Sequence, residues 1–379
     1  MREYLLVFLV AGVVSYLLCV FARELAIRSG AVARVRDRDV HATPIPYFGG
    51  VAMLGGLGAG LLVARHLPFL STSQPAVFHD SGIVLIAGAM ICAVGVVDDL
   101  IELDAITKLG GQLVAAGFMV LNDVRLWSIK LPVVGQLVLD PTQGVLLTML
   151  LVVSTMNAVN FVDGLDGLAG GVVLIGAIAF FLFSYRLADA NGYTLAITAA
   201  MLCAAMGGAC AGFLPHNFFP ARIFMGDSGS MLLGLVLSGS TLTLTGQFAD
   251  VSVQQGGGEG SFVMLLPILL PISILVVPLS DLVTAVVRRT RRGQAFYQPD
   301  KEHLHHRLLE IGHSQRRAVL IMWLWAGLIA FGGVLVSLYS GRLTWALLVA
   351  VTLATVVLTF ILPRVQRPGE PRPEDHLVR

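Results

Sequence analysis

Five segments of this chain hold nearly all the residues that could do chemistry. Asp98 and Asp99 are adjacent in DDLIELDAITKLGGQ, with Lys108 and Gln112 downstream. Neighbouring carboxylates repel one another unless a cation offsets the repulsion. In NAVNFVDGLDGLAGG, Asn157, Asn160, Asp163 and Asp166 recur at every third position at the end of an apolar run. Polar groups facing lipid are costly, so such a stripe should face a cavity or a ligand. Its glycines, Gly164, Gly167, Gly170 and Gly171, let a backbone approach that ligand closely. HNFFPARIFMGDSGS offers His216, Asn217 and Asp227, the last at a helix start. An Asp–Ser pair there is by itself an ordinary N-cap. Beside two other acidic segments, Asp227 becomes a candidate ligand for Mg²⁺, which takes one or two carboxylates together with substrate phosphates.

The fourth segment runs from RRTRR into PDKEHLHHRLLEIGHSQRR, where Pro299 and Asp300 predict a helix start and Gly312 its end. On that helix His303, His306 and Arg307 share a face. With no Cys nearby and Arg307 among them, these residues suit phosphate oxygens better than zinc. Attraction to anionic lipid accounts for Arg288–Arg292 but not for the histidines. The fifth segment, DRDVHATPIPYFGG, places His41 before Pro44 and Pro46, which fix the backbone as the chain enters an apolar stretch.

These residues must be positioned by an apolar framework. Of the 379 residues, 56% are hydrophobic and 13% charged; a soluble domain would carry about a quarter charged. Apolar stretches of bilayer-crossing length recur throughout, without the alternation of a barrel strand, so the expected fold is an all-α polytopic membrane bundle. About eleven spans are expected, at 4–22, 47–65, 82–97, 109–124, 143–160, 170–185, 193–213, 229–246, 262–287, 317–339 and 343–362. Placing the N-terminus outside puts 19 Lys and Arg on the cytoplasmic side and 6 on the other. That asymmetry predicts a cytoplasmic C-terminus and an active site formed by cytoplasmic loops. Residues 1–362 form the transmembrane domain on this reading, and the Pro-rich tail 363–379 is expected to be disordered. Residues 123–141 predict a short hairpin, and 251–261 a flexible connection. Cys19, Cys92, Cys203 and Cys210 lie in apolar runs and read as small hydrophobes.

Taken together, PIPYFGG, DD with its downstream Lys, NFVDGLDGLAGG, FMGDSGS and HLHHR make the chain resemble the polyprenyl-phosphate N-acetylhexosamine-1-phosphate transferases of glycosyltransferase family 4. The resemblance spans residues 1–340 and favours the bacterial undecaprenyl- and decaprenyl-phosphate N-acetylglucosaminyl branch. The branch using UDP-MurNAc-pentapeptide carries three consecutive histidines where this chain has His303-Leu304-His305-His306-Arg307.

The resemblance implies a cell-membrane homodimer that uses UDP-GlcNAc, a polyprenyl phosphate and Mg²⁺ or Mn²⁺, with no nucleic acid. It implies catalytic roles for Asp98, Asp99 and Lys108, and a metal ligand in Asp227. Substrate contacts are implied for His41, Asn160, Asp163, Asp166, Asn217, Phe224, His303, His305, His306 and Arg307. A phosphate monoester has a second pKa of about 6, so direct attack by the lipid phosphate is the simpler route and Asp98 would remove a residual proton. A covalent aspartyl-phosphate is the other route. Transporters hold their sites near the midplane within repeats, and no repeat is evident here. A scaffold would need no acidic pairs and histidine cluster on one face.

Overall fold

The computed structural model describes residues 1–33, 44–131, 135–191, 196–245, 290, 314–339 and 341–360. Its helices are α1 (Arg2–Ser29), α2 (Gly49–Ala64), the short α3 (Pro68–Ser71), α4 (Pro75–Ile101), α5 (Ala105–Leu121), α6 (Pro141–Val162), α7 (Leu168–Asn191), α8 (Ala196–Asn217) and α9 (Gly226–Thr245). After residues 246–313 come α10 (Gln315–Leu338) and α11 (Arg342–Phe360). Among the described residues, eight helices are long and apolar enough to cross a membrane, while α2 and α5 are shorter apolar helices. Ten of the eleven expected spans coincide with these helices; the one at 262–287 lies outside the described residues.

α9 is wholly buried and α8 nearly so, with α1, α2, α4, α6 and α7 packed around them, whereas α11 is mostly exposed beyond α10. Lipid supplies no hydrophobic drive between helices, so close packing depends on small residues and polar contacts. α1 buries one stripe, Tyr4, Val7, Ala11, Ser15, Cys19, Ala22 and Ala26. Against it lies Gly212, where a Cβ would sit 2.0 Å from the Gly12 carbonyl oxygen. Ser15 Oγ donates to the Ala209 carbonyl at 3.0 Å in the same seam. Gly30, at φ 80, ends α1 in the left-handed region that glycine tolerates. Glu3 accepts from the backbone N–H groups of Phe69 and Leu70 at 2.7 and 2.8 Å, which ties the start of α1 to α3.

The hairpin expected within 123–141 is present: β3 (Ser128–Leu131) pairs antiparallel with β4 (Gly135–Val138). A second small ladder pairs β1 (Val32–Ala33) with β2 (Ile45–Pro46). It continues through PIPYFGG onto the 224–225 backbone. Phe224 N–H donates to Pro46 O at 2.8 Å, Gly49 N–H to Phe224 O at 3.0 Å, and Gly50 N–H to Met225 O at 3.1 Å. This motif, weak as a sequence signal, therefore anchors the turn that leads into α9.

Asp98 and Asp99 lie in the last turn of α4, and Asp227 lies in the first turn of α9, at the helix start that the sequence predicts. α4 runs on to Ile101 and stops at Glu102, whose φ of 52 leaves the helix while its N–H still donates to Asp98 O. Asp104 then caps α5, accepting from Ile106 and Thr107 N–H at 3.0 Å each. The acidic residues thus sit on rigid helix ends.

Candidate active site

The ends of α4, α5, α6 and α9 converge on Asp227. Lys108 of α5 lies between two carboxylates, pairing with Asp98 Oδ2 at 2.9 Å and with Asp227 Oδ2. Asn160 of α6 donates to Asp227 Oδ1 at 2.8 Å and to Ser230 Oγ at 2.9 Å. Both oxygens of Asp227 are therefore gripped, each from a different helix. Asp98 Oδ1 accepts from Leu103 N–H at 2.8 Å, which closes the turn between α4 and α5.

Asp99, next to Asp98, faces another way. Its Oδ1 accepts the Asp227 N–H at 2.9 Å, and its Oδ2 accepts the Ser228 hydroxyl at 2.8 Å. The Asp227 N–H, with the Ser228 N–H at 3.4 Å from Oδ2, belongs to the orphan donors of the α9 N-terminus, so Asp99 caps α9 from a neighbouring helix. Gly226, at φ 69, leaves no room for a side chain there: a Cβ would meet Asp99 Oδ2 at 2.4 Å. Asp227 is consequently not the cap that an Asp–Ser pair suggests. Its own carboxylate is freed for Lys108 and Asn160.

The NAVNFVDGLDGLAGG stripe divides. Asn157 turns to Gln112 of α5, with Asn157 Nδ2 donating to Gln112 Oε1 at 2.8 Å. Asp163 caps the end of α6 and makes no side-chain hydrogen bond among the described residues. Burial first, then the negative charges of Asp227, Asp99 and Asp166, push its carboxyl up to about 8. A cation bound nearby would act in the opposite direction. Asp166 Oδ2 accepts Ala221 N–H at 3.0 Å, and Asn217 accepts Gly167 N–H at 2.9 Å while donating to Ile223 O at 3.0 Å. These two hold the 218–225 turn that carries Phe224, whose ring lies 6.1 Å from that of Tyr47. Sequence reasoning did not single out Ser230 or the contact of the Ser228 hydroxyl with Asp99. Their only signal was their spacing from Asp227. His41, His303, His305, His306 and Arg307 lie outside the described residues.

Asp98, Asp99 and Asp227 each offer a carboxylate oxygen, all within 4.8 Å of one another. This oxygen-only, acidic donor set suits a hard divalent cation. Asp99 is turned to the α9 N-terminus, whereas Asp98 and Asp227 already share a cation, the Lys108 ammonium, so this pair would hold the metal. Among the described residues, Lys108 carries the positive charge between them.

Comparison with known proteins bears on this arrangement. A model of glycosyl transferase family 4 matches residues 81–245, the stretch from α4 to the end of α9. A decaprenyl-phosphate N-acetylglucosaminephosphotransferase of Mycobacterium tuberculosis is 46% identical over 95% of this chain and 89% of its own. The chain belongs to glycosyl transferase family 4. Family 4 relatives extend further: a probable undecaprenyl-phosphate N-acetylglucosaminyl 1-phosphate transferase of Bacillus subtilis is 32% identical over 86% of this chain and 82% of its own. An undecaprenyl-phosphate alpha-N-acetylglucosaminyl 1-phosphate transferase of Escherichia coli is 28% identical over 91% and 87%. The family 4 match covers every described helix end that meets at Asp227.

Proposed function

We propose that this protein transfers N-acetylglucosamine 1-phosphate from UDP-GlcNAc to decaprenyl or undecaprenyl phosphate, releasing UMP, at the cytoplasmic face of the cell membrane. The observation that carries this reading is the junction of Asp98, Lys108, Asn160 and Asp227 at one end of the bundle. It occurs in a chain that shares nearly its full length with relatives bearing that activity in their names.

In this reading an oxygen of the lipid phosphate bonds to the β-phosphorus, and the bond from that phosphorus to the bridging oxygen breaks. UMP leaves with the electron pair. Asp227 and Asp98 would hold a divalent cation, which would supply charge neutralisation on the crowded phosphates. Lys108 adds a fixed positive charge at the same place, pre-oriented by its two carboxylates. Asp98 takes any proton remaining on the lipid phosphate and orients it for attack. Asn160 fixes the Asp227 carboxylate, and Asp99 fixes the helix end that carries it. Asp163 and Phe224 line the nucleotide-sugar side, with Phe224 held in place by Asp166 and Asn217.

Purified enzyme, a short-chain polyprenyl phosphate and a panel of UDP-sugars test the proposal through UMP release. Product should form with UDP-GlcNAc and be undetectable with UDP-MurNAc-pentapeptide, because a bulky peptide with no compensating contact is rejected on steric and desolvation grounds. Comparable rates with both donors would remove the branch assignment, and absence of UMP release with every donor would remove the reaction itself.

Orientation is testable separately. All four native cysteines are buried, so background labelling should be low. A cysteine at exposed Ile106, beside the site, should react with an impermeant thiol reagent only from the cytoplasmic side. One at exposed Val138 in the hairpin should react from outside intact cells. The reverse pattern would invert the topology and the side on which the chemistry occurs.

A further inference from the structure

Gln112, which is buried, and Asn157, which is half-buried, are amides that the chemistry above does not use. Gln112 is only 1% exposed, and it faces Asn157 across the seam between α5 and α6. Asn157 Nδ2 donates to Gln112 Oε1 at 2.8 Å, and Gln112 Nε2 returns a bond to Asn157 Oδ1 at 3.3 Å. Asn157 Nδ2 also donates to Val153 O at 2.8 Å, and Gln112 Nε2 reaches Met231 Sδ on α9 at 3.4 Å.

The placement repeats the active site one helical turn deeper. Gln112 follows Lys108 by four residues on α5, and Met231 follows Asp227 by four on α9; Asn157 precedes Asn160 by three on α6. Residues at these spacings stack on one helix face. The deeper trio Gln112, Asn157 and Met231 therefore underlies the trio Lys108, Asn160 and Asp227. Apolar contacts between helices tolerate sliding, whereas a reciprocal amide pair is satisfied in one register only. A slip of one residue, about 1.5 Å along a helix, would break the pair and leave the buried Gln112 amide without its partner in an apolar interior.

We propose that the Gln112–Asn157 amide bridge is a register pin, which sets α5 and α6 relative to α9 and so places Lys108 and Asn160 on opposite oxygens of Asp227. Both are positioning residues that touch no reacting atom. The kinetic half of the proposal rests on the transferase reading, whereas the metal-binding half does not.

The test compares Gln112→Leu, Asn157→Leu and the swap Gln112→Asn/Asn157→Gln, which conserves the total length of the bridge. Three readouts are taken on purified protein: thermal unfolding, Mn²⁺ binding followed by electron paramagnetic resonance with the metal alone, and kcat and KM for UMP release from UDP-GlcNAc. Each single Leu variant should weaken Mn²⁺ binding and lower kcat by about 10- to 100-fold at nearly constant KM, since ångström-scale misplacement costs that much. The swap should recover most of both losses. Variants that lose thermal stability yet keep wild-type Mn²⁺ binding and kcat would reduce the bridge to simple packing and overturn the proposal. So would a swap whose losses equal the product of its two single substitutions. Wild-type protein that binds Mn²⁺, loses that binding in the single variants and turns over no UDP-sugar would overturn the transferase reading and leave the pin standing.

Discussion

Replacing Asp227 by Asn is expected to lower kcat by about 10³-fold or more, while the protein still inserts, purifies and unfolds like the wild type. Asn keeps the size of the side chain, but it can stay on Lys108 through its oxygen only if the Asn160 amide turns to accept from its Nδ2; the main loss is charge. In the structure Asp227 is gripped from two helices, by Lys108 of α5 and Asn160 of α6. Without its charge, Lys108 would retain Asp98 as a partner, and a divalent cation would lose its principal protein ligand. Turnover measured across a Mg²⁺ titration checks this. Near-normal activity at ordinary Mg²⁺ would show that the metal is held elsewhere.

The second large effect is expected far from any reacting group in chemical terms, at Gly95. A Cβ there would lie 2.3 Å from both the N and Cα of Ser228 and 2.6 Å from the carbonyl carbon of Asp227. All three are backbone atoms, so no side-chain rotation relieves the clash, and α9 must move away from α4. That motion also pulls Asp227 and Ser228 N–H away from Asp99. Gly95→Ala should therefore lower kcat by about 100-fold and depress the unfolding temperature, overpacking typically costing about 1–3 kcal/mol. Gly110→Ala is the matched control, because nothing lies within 4 Å of a Cβ at that position. It should be neutral or mildly stabilising, since Ala is the better helix former. Equal activity in the two variants would show that the α4–α9 contact is not what places Asp227.

Much of this was legible beforehand. Apolar run lengths located the helices, and the polar segments pointed to Asp98, Lys108, Asn160 and Asp227, which the structure brings together, because few polar groups survive in an apolar bundle without a purpose. Asp98 and Asp99 show where legibility ended. Adjacent residues on a helix point about 100° apart, so one meets Lys108 and the other caps α9, a division that adjacency in sequence conceals. Asn157 and Asn160 share a face of α6, yet one meets Gln112 of α5 and the other Asp227 of α9, a difference of depth that spacing alone does not reveal. Gly95 was invisible because its importance lies in the backbone of a distant helix. The PIPYFGG segment looked like a mere membrane entrance, since a ladder formed by backbone groups leaves no side-chain signature.

That ladder sets how the chain can change over time. β1 and β2 close the base of the connection at 34–43, and β2 is bonded onward to the turn before α9. Closure entropy grows only logarithmically with loop length. Residues can therefore be added between 34 and 43 at little cost to the fold. Removing a single residue from 44–50 would instead shift every bond to 224–225 by one position and carry Gly50 off Gly229. Chain length is thus tolerated before Pro44 and strict after it, where the ladder fixes the turn that leads to Asp227.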